Sequence, residues 1–326
     1  MRHLTVSDFG HYVGTTGTRL QVSHEGRVVK EYPLSRLRTI TIAKKGVSFS
    51  SNMLLSCAER GIRLFILDWR GVSVASLSGE YQHAVVKVRQ SQFQYLASGR
   101  APYLAAEVVY GKVRNQRAVL NYFNKSLKNI NLADTAGQLK IFSDRVRSIN
   151  FESNSDWRNQ LLGTEGAAAN AYWKALRYSL LESSGFSVRK GRGAEDATNQ
   201  ALNYGYALLT SYVWNALANA GLEVYAGVLH TERPGKPSLV LDIMEEYRPW
   251  VVDRTVIKLR DRLSVDSVIN SGLKQLISEG IHKTFATRYP CRGRKMRLES
   301  ILQRQCYRLA GEFVGQKKYR AYRFKW

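Results

Sequence analysis

The sequence predicts an α+β protein: an N-terminal β-sandwich-like domain over residues 1–92, then a larger all-α domain over residues 93–326. Two observations carry this. Up to about residue 90, short runs rich in β-branched residues alternate with glycine turns. Beyond residue 93 that punctuation gives way to long stretches with a helical apolar period. A chain of 326 residues suggests about two domains. A third observation concerns partners: 49 Lys and Arg face 26 Asp and Glu, a formal net charge of +23. Such an imbalance attracts polyanions, nucleic acid first and an anionic membrane surface second.

In chain order, the expected strands are HLTV, HYVG, TRLQVS, RVVKEYPL, RTITIA, VSFS, IRLFILD and VSVASL. HEGR (24–27) and WRGV (69–72) look like glycine-based hairpin turns. One helix, NMLLSCAERG, interrupts the strands and stops at Gly61, with Cys57 expected as a buried small apolar residue. Helical patterns then run over 105–123, 134–149, 156–184, 197–221, 254–263, 268–289 and 297–315. Asp156 is the expected cap of the third. Residues 183–196 form a basic, glycine-bearing loop, and 289–297 reads as a basic solvated loop. The sequence has no run of about 18 apolar residues and no apolar signal core, so the cytoplasm is the expected location. Three cysteines, Cys57, Cys291 and Cys306, show no CxxC spacing, which argues against a disulfide framework or a structural zinc site.

The chemistry is expected where acids interrupt apolar faces. In LLGTEGAAANAYW (161–173), Glu165 lies on the same helical face as Leu161, Ala168 and Tyr172. Burying a carboxylate alone costs several kcal/mol. It therefore needs a partner, either Lys or Arg in an ion pair or a metal ion. In GVLHTERPGKPSLVLDIMEEYRPWVVDR (227–254), His230 precedes a loop marked by Pro234, Gly235 and Pro237. Asp242 and Glu245 are three apart within an apolar run, so on a helix they share a face. One imidazole with carboxylate oxygens suits Mg²⁺ or Mn²⁺ better than Zn²⁺.

These three segments, with LNYGYALL, resemble the CRISPR-associated integrase family, the catalytic subunit of the spacer-acquisition complex. The resemblance covers nearly the whole chain, through the closing GEFVGQKKYRAY. It implies a metal-dependent DNA integrase that joins the 3′-hydroxyl ends of short spacer DNA into the repeat array by transesterification. Partners would be the spacer duplex and the CRISPR repeat, a second copy of the chain paired through the β domain, and a small ferredoxin-like adaptation subunit. Glu165, His230 and Glu245 would be the metal ligands, and Asp242 a further acid supporting the ion or its ligands. Arg233, Lys236 and Arg248 lie near them in sequence and are candidate phosphate contacts. One departure stands out. RKGRGAEDATNQA occupies the place of an arginine–proline-rich run; Asp196 and Asn199 match an aspartate and an asparagine there, and both prolines are missing.

A stand-alone metal-dependent DNA endonuclease would use the same residues with water as nucleophile. A non-catalytic basic DNA-binding protein would leave the acids merely paired. The tail GQKKYRAYRFKW interleaves Tyr319, Tyr322, Phe324 and Trp326 with five basic residues, and so would either grip DNA or pack on the last helix. Tyr172 and Trp173 read as core, and His3, His11, His24, His83 and His282 as structural.

Overall fold

The computed structural model describes residues 3–68, 71, 73–79, 86–152, 156–191, 193–263 and 268–325. His83, Trp326 and, apart from Gly71, the turn expected at 69–72 lie outside the described residues.

Strands fill the first part of the chain: β1 (His3–Val6), β2 (Tyr12–Thr16), β3 (Arg19–His24), β4 (Arg27–Pro33), β5 (Thr39–Ile42), β6 (Ser48–Phe49), β7 (Arg63–Leu67) and β8 (Ser73–Leu77). They form two four-stranded sheets, ordered β1-β5-β7-β8 and β4-β3-β2-β6. In the first, β1, β5 and β7 run parallel and β8 closes antiparallel. The hairpin between β3 and β4 turns at Glu25 and Gly26, both with positive φ, the pair that a two-residue type I′ turn demands. Helix α1 (Ser51–Glu59) starts where Ser50 Oγ accepts from Met53 N at 3.1 Å. It buries Met53 and Cys57 with Val13, Leu20, Ile40 and Leu64 in one apolar cluster. Burial pushes the Cys57 thiol up to about 11, so it stays protonated.

The rest is helical: α2 (Val86–Ala97), α3 (Ala101–Leu127), α4 (Ile130–Ser148), α5 (Trp157–Leu180), α6 (Ala197–Asn219), α7 (Ser238–Tyr247), α8 (Arg254–Lys258), α9 (Ser271–Ala286) and α10 (Leu298–Phe313). A π-helical turn, Arg248–Asp253, joins α7 to α8. Pro249 explains it: without an N–H it cannot extend the α ladder, and the turn widens around the gap. The 27-residue α3 and the apolar α6 form the centre, and the others pack around them.

Several local expectations change. The strands end at Leu77 and α2 begins at Val86, so residue 92 lies inside a helix. The segment 289–297 is not an irregular loop: β9 (Arg288–Cys291) and β10 (Arg294–Arg297) pair antiparallel as a hairpin within the helical part. Asp156 stands at the N-cap position of α5 without bonding its first amides; Asn159 Nδ2 donates to its Oδ1 instead, at 2.5 Å. In the tail, Tyr319, Tyr322 and Phe324 are buried while Lys317, Lys318, Arg320, Arg323 and Lys325 are exposed. Phe324 stacks on Trp250 with ring centroids 5.1 Å apart, so the aromatics serve packing. Tyr172 is fully buried and Trp173 half-buried, as core residues.

The β and helical parts meet through polar contacts. Buried Arg63 on β7 donates to Asn215 Oδ1 on α6 at 2.6 Å and to Asn219 Oδ1 at 3.0 Å. His3 Nδ1 lies 2.6 Å from Thr39 Oγ1, and its ring packs on Tyr212 with centroids 3.8 Å apart. No helix among the described residues is long and apolar enough to cross a membrane.

Candidate active site

Three helices converge on one point. On α5, Leu161, Ala168 and Tyr172 are buried, and their face carries Glu165 toward α3. On α7, Asp242 and Glu245 are both buried, at 0% and 3% exposure, as their spacing on one apolar face requires. On α3, Lys112 lies between Val109 and Val113, both fully buried. Its ammonium bridges the two glutamates: Nζ donates to Glu165 Oε1 and lies 2.6 Å from Glu245 Oε2. Glu245 Oε1 in turn accepts from Arg248, the first residue of the π turn. The buried Oε2 atom has the Lys112 ammonium as its partner.

Two cations and two carboxylates thus share a pocket in which Glu245 is buried and Lys112, Glu165 and Arg248 are partly exposed. Burial alone would push the Glu245 carboxyl up; Arg248 and Lys112 outweigh it and hold it at about 2. For Lys112, burial favours the neutral amine, but Glu245 and Glu165 overcome this and raise its pKa. The protein therefore holds both groups charged at neutral pH.

His230 reaches this pocket on a loop that Asp242 organises. Asp242 Oδ2 accepts from Val228 N at 2.6 Å and Leu229 N at 3.1 Å. Its Oδ1 accepts from His230 N at 3.0 Å and stands 2.6 Å from His230 Nδ1. The chain can pass this closely because residue 227 is glycine: a Cβ there would stand 2.7 Å from Asp242 Oδ2 and 2.8 Å from Ser238 Cβ. From α5, Arg158 donates to Leu229 O and anchors the same loop. With Nδ1 committed to Asp242, Nε2 is the free ring nitrogen. The imidazole is near enough to Glu245 to help lower its pKa.

Among the described residues, no three Asp, Glu, His or Cys side chains converge tightly enough to hold an ion as they stand. Glu165 and Glu245 meet at Lys112, while Asp242 is spent on the loop. Of the candidate phosphate contacts, Arg233 is exposed, Lys236 is partly exposed, and Arg248 is paired with Glu245.

Behind Arg248 lies a second layer that the sequence did not single out. The guanidinium groups of Arg248 and Arg189 lie 5.0 and 5.1 Å from the ring centre of Tyr206. Tyr206 donates to Asp253 Oδ1 at 2.5 Å and Tyr172 to Asp253 Oδ2 at 3.1 Å. Burial raises the Asp253 carboxyl to about 6, although both phenols pull it down. Arg189 is held by Asn199 and Asn203 at 3.0 and 2.7 Å. Asn199 itself is fully buried; it donates to Val188 O and to Asp196 Oδ2, both at 2.8 Å, and Asp196 caps α6. The loop that lacks both prolines is thus fixed by asparagine hydrogen bonds. Lys112 is the main site residue missed. Its signal was the one that marked Glu165, a charge set among buried-type residues on a helix.

Comparison with known proteins identifies the family. Residues 4–290 match the model of the CRISPR associated protein Cas1 family. The chain is 47% identical over 326 residues, 100% of both sequences, to the CRISPR-associated endonuclease Cas1 1 of Francisella tularensis subsp. novicida. Its fold is similar to that of a casposase bound to an integration product (TM-score 0.81, 21% identity, 98% of this chain and 93% of that one). It is also similar to a chain of a Cas6-RT-Cas1–Cas2 complex (TM-score 0.79, 21% identity), covering 98% of this chain and 36% of that one. With the family model and a full-length relative in agreement, the chain belongs to the CRISPR-associated Cas1 protein family.

Proposed function

We propose that this protein is a metal-dependent DNA integrase of CRISPR adaptation, with Glu165, His230 and Glu245 as its metal ligands. The observation that carries the reading is the meeting of Glu165 and Glu245 at a single nitrogen beside an imidazole with its Nε2 free. The donor set fits Mg²⁺ or Mn²⁺. Two carboxylates and one imidazole are hard to borderline ligands, and the buried Glu245 carboxyl is held ionised, as a ligand must be. When bound, the ion would polarise a scissile phosphate and offset charge on the transition state.

The chain's own groups do the rest. Asp242 fixes the tautomer and direction of His230, as outer-sphere carboxylates do for metal-binding imidazoles. Arg233 and Lys236 stand at the open side of the His230 loop, where they would hold DNA phosphates. A DNA 3′-hydroxyl gives up its proton as its oxygen forms the new P–O bond, the target's 3′ O–P bond breaks, and the departing 3′ oxygen takes up a proton in exchange. That exchange needs no Ser or Cys nucleophile. The β part, through Leu77, would serve dimerisation and the helical part, from Val86, catalysis. The Cas1–Cas2 and casposase resemblances support DNA and a small adaptation subunit as partners.

The test mixes the protein with a duplex bearing free 3′-hydroxyls and a supercoiled plasmid, in Mn²⁺ or in EDTA, with and without the small subunit. Glu165→Ala and His230→Ala run alongside. Metal-dependent joining of duplex to plasmid, lost in both variants, is the expected result. Cutting without joining would leave an endonuclease. Binding alone, unchanged by EDTA and by both substitutions, would overturn the catalytic reading.

A further inference from the structure

The point where Glu165 and Glu245 meet holds a side chain of the protein itself. We infer that Lys112 is a resident counter-cation that competes with the divalent ion for these two carboxylates, and that its release toward DNA phosphate couples metal binding to DNA binding. This rests on the proposed metal centre and deepens it.

Charge and geometry carry the inference. The charges of Lys112 and Arg248 balance those of Glu165 and Glu245. Without the ammonium, buried Glu245 would keep only Arg248 as a cationic partner while facing a second carboxylate, the partly exposed Glu165. Arg248 takes only Glu245 Oε1; Glu245 Oε2 and Glu165 Oε1 both look to Lys112. Lys112 thus takes up one oxygen of each glutamate proposed to hold the ion. An incoming divalent cation would compete with the ammonium for them. With Lys112 still inside, the pocket would then carry two excess positive charges. Lysine suits the exchange: a single compact charge on a flexible stem swings aside more readily than a bidentate guanidinium. A DNA phosphate at the mouth would take the released ammonium and cancel one of the two surplus charges. Ion and DNA would then each strengthen the other's binding by the same factor.

The test reads ion binding and not turnover. Mn²⁺ affinity is measured by electron paramagnetic resonance of the free ion for wild type, Lys112→Met and Lys112→Gln. Each is taken alone and with a duplex whose 3′ ends are blocked, so that no chemistry follows. The glutamine variant keeps a hydrogen-bond donor between the carboxylates and guards against misfolding of the methionine variant. The expected result is about tenfold or tighter Mn²⁺ binding by both variants without DNA, and a smaller gain on adding DNA than wild type shows. Wild-type binding of Mn²⁺ with equal or weaker binding in both variants would overturn the role of Lys112 and leave the metal centre standing. No Mn²⁺ binding by any of the three, with or without DNA, would overturn the metal centre and this inference with it.

Discussion

Asp242 and His230 are joined twice: one carboxylate oxygen, Oδ1, accepts from the His230 backbone at 3.0 Å and lies 2.6 Å from its ring Nδ1. The other oxygen takes the amides of Val228 and Leu229. Each oxygen therefore has two donors, which fills the acceptor capacity of a carboxylate. On the proposed function Asp242 would for this reason position His230 and not bind the ion, although it shares the buried face of α7 with Glu245.

Asp242→Asn separates these roles. The amide offers one acceptor oxygen and turns an NH₂ toward donors, so at least one buried N–H loses its partner, at roughly 1–3 kcal/mol. Urea unfolding is expected to show that loss. Mn²⁺ affinity is expected to fall about 10–100-fold, as for outer-sphere carboxylates elsewhere. An asparagine variant with wild-type Mn²⁺ affinity would remove Asp242 from the site.

The exposed bases make a different prediction. Arg233→Ala and Lys236→Ala leave every contact in the pocket intact, because neither side chain reaches it. Each is expected to weaken binding to duplexes of any sequence and to reduce the salt slope of log affinity by about 1. Fluorescence anisotropy across a salt series checks it. An unchanged slope would mean that DNA does not pass over this loop.

Arg63 tests the seam between the β and helical parts. It is 7% exposed and donates to the Asn215 carbonyl at 3.1 Å as well as to the two asparagine side chains. Arg63→Met keeps much of the stem but strands the acceptors of buried Asn215, a loss of roughly 1–3 kcal/mol. Denaturant unfolding is expected to show it as a lower midpoint or as two separated transitions. A variant as stable as wild type would mean that the seam is held by apolar packing alone.

The outline of the fold was legible because it follows from local pattern: β-branched runs closed by glycine turns, then apolar stripes at helical period. What the sequence hid depends on contacts distant in the chain. Residues 86–97 alternate Val86, Lys87, Val88 and Arg89, which mimics a strand; buried Gln92 and Tyr95 settle the segment as a helix through partners such as Ala226 and Glu312. Glu165 was legible as a carboxylate in need of a partner, and Lys or Arg was among the expected ones. That the partner is Lys112 could not be read, since 53 residues separate them and only the packing of α3 on α5 joins them. Tyr206 and Asp253 were hidden for the same reason. Phenols and acids on apolar faces acquire a role only when helices bring them together.

Asp253 gives the clearest pH signature. Burial lifts its carboxyl from 3.8 to about 6, with Tyr206 and Tyr172 donating to it and Arg189 and Arg248 nearby. Below pH 3.8 the group is protonated whether the chain is folded or not, and it makes no difference to stability. As pH rises from there to about 6, the unfolded chain releases a proton that the folded chain keeps. Stability must fall over that interval, by roughly 3 kcal/mol, and then level off. Asp253→Asn cannot titrate. Its unfolding free energy is expected to lack this descent, so that wild type minus variant falls by about that amount between pH 4 and 7. Urea denaturation at half-unit pH steps measures it. A difference that stays flat would mean that Asp253 is ionised in the fold, balanced by Arg189 and Arg248. In that case Tyr206 would donate to a permanent charge, and the two arginines behind the pocket would be held in place as counter-ions and not left free to move toward DNA.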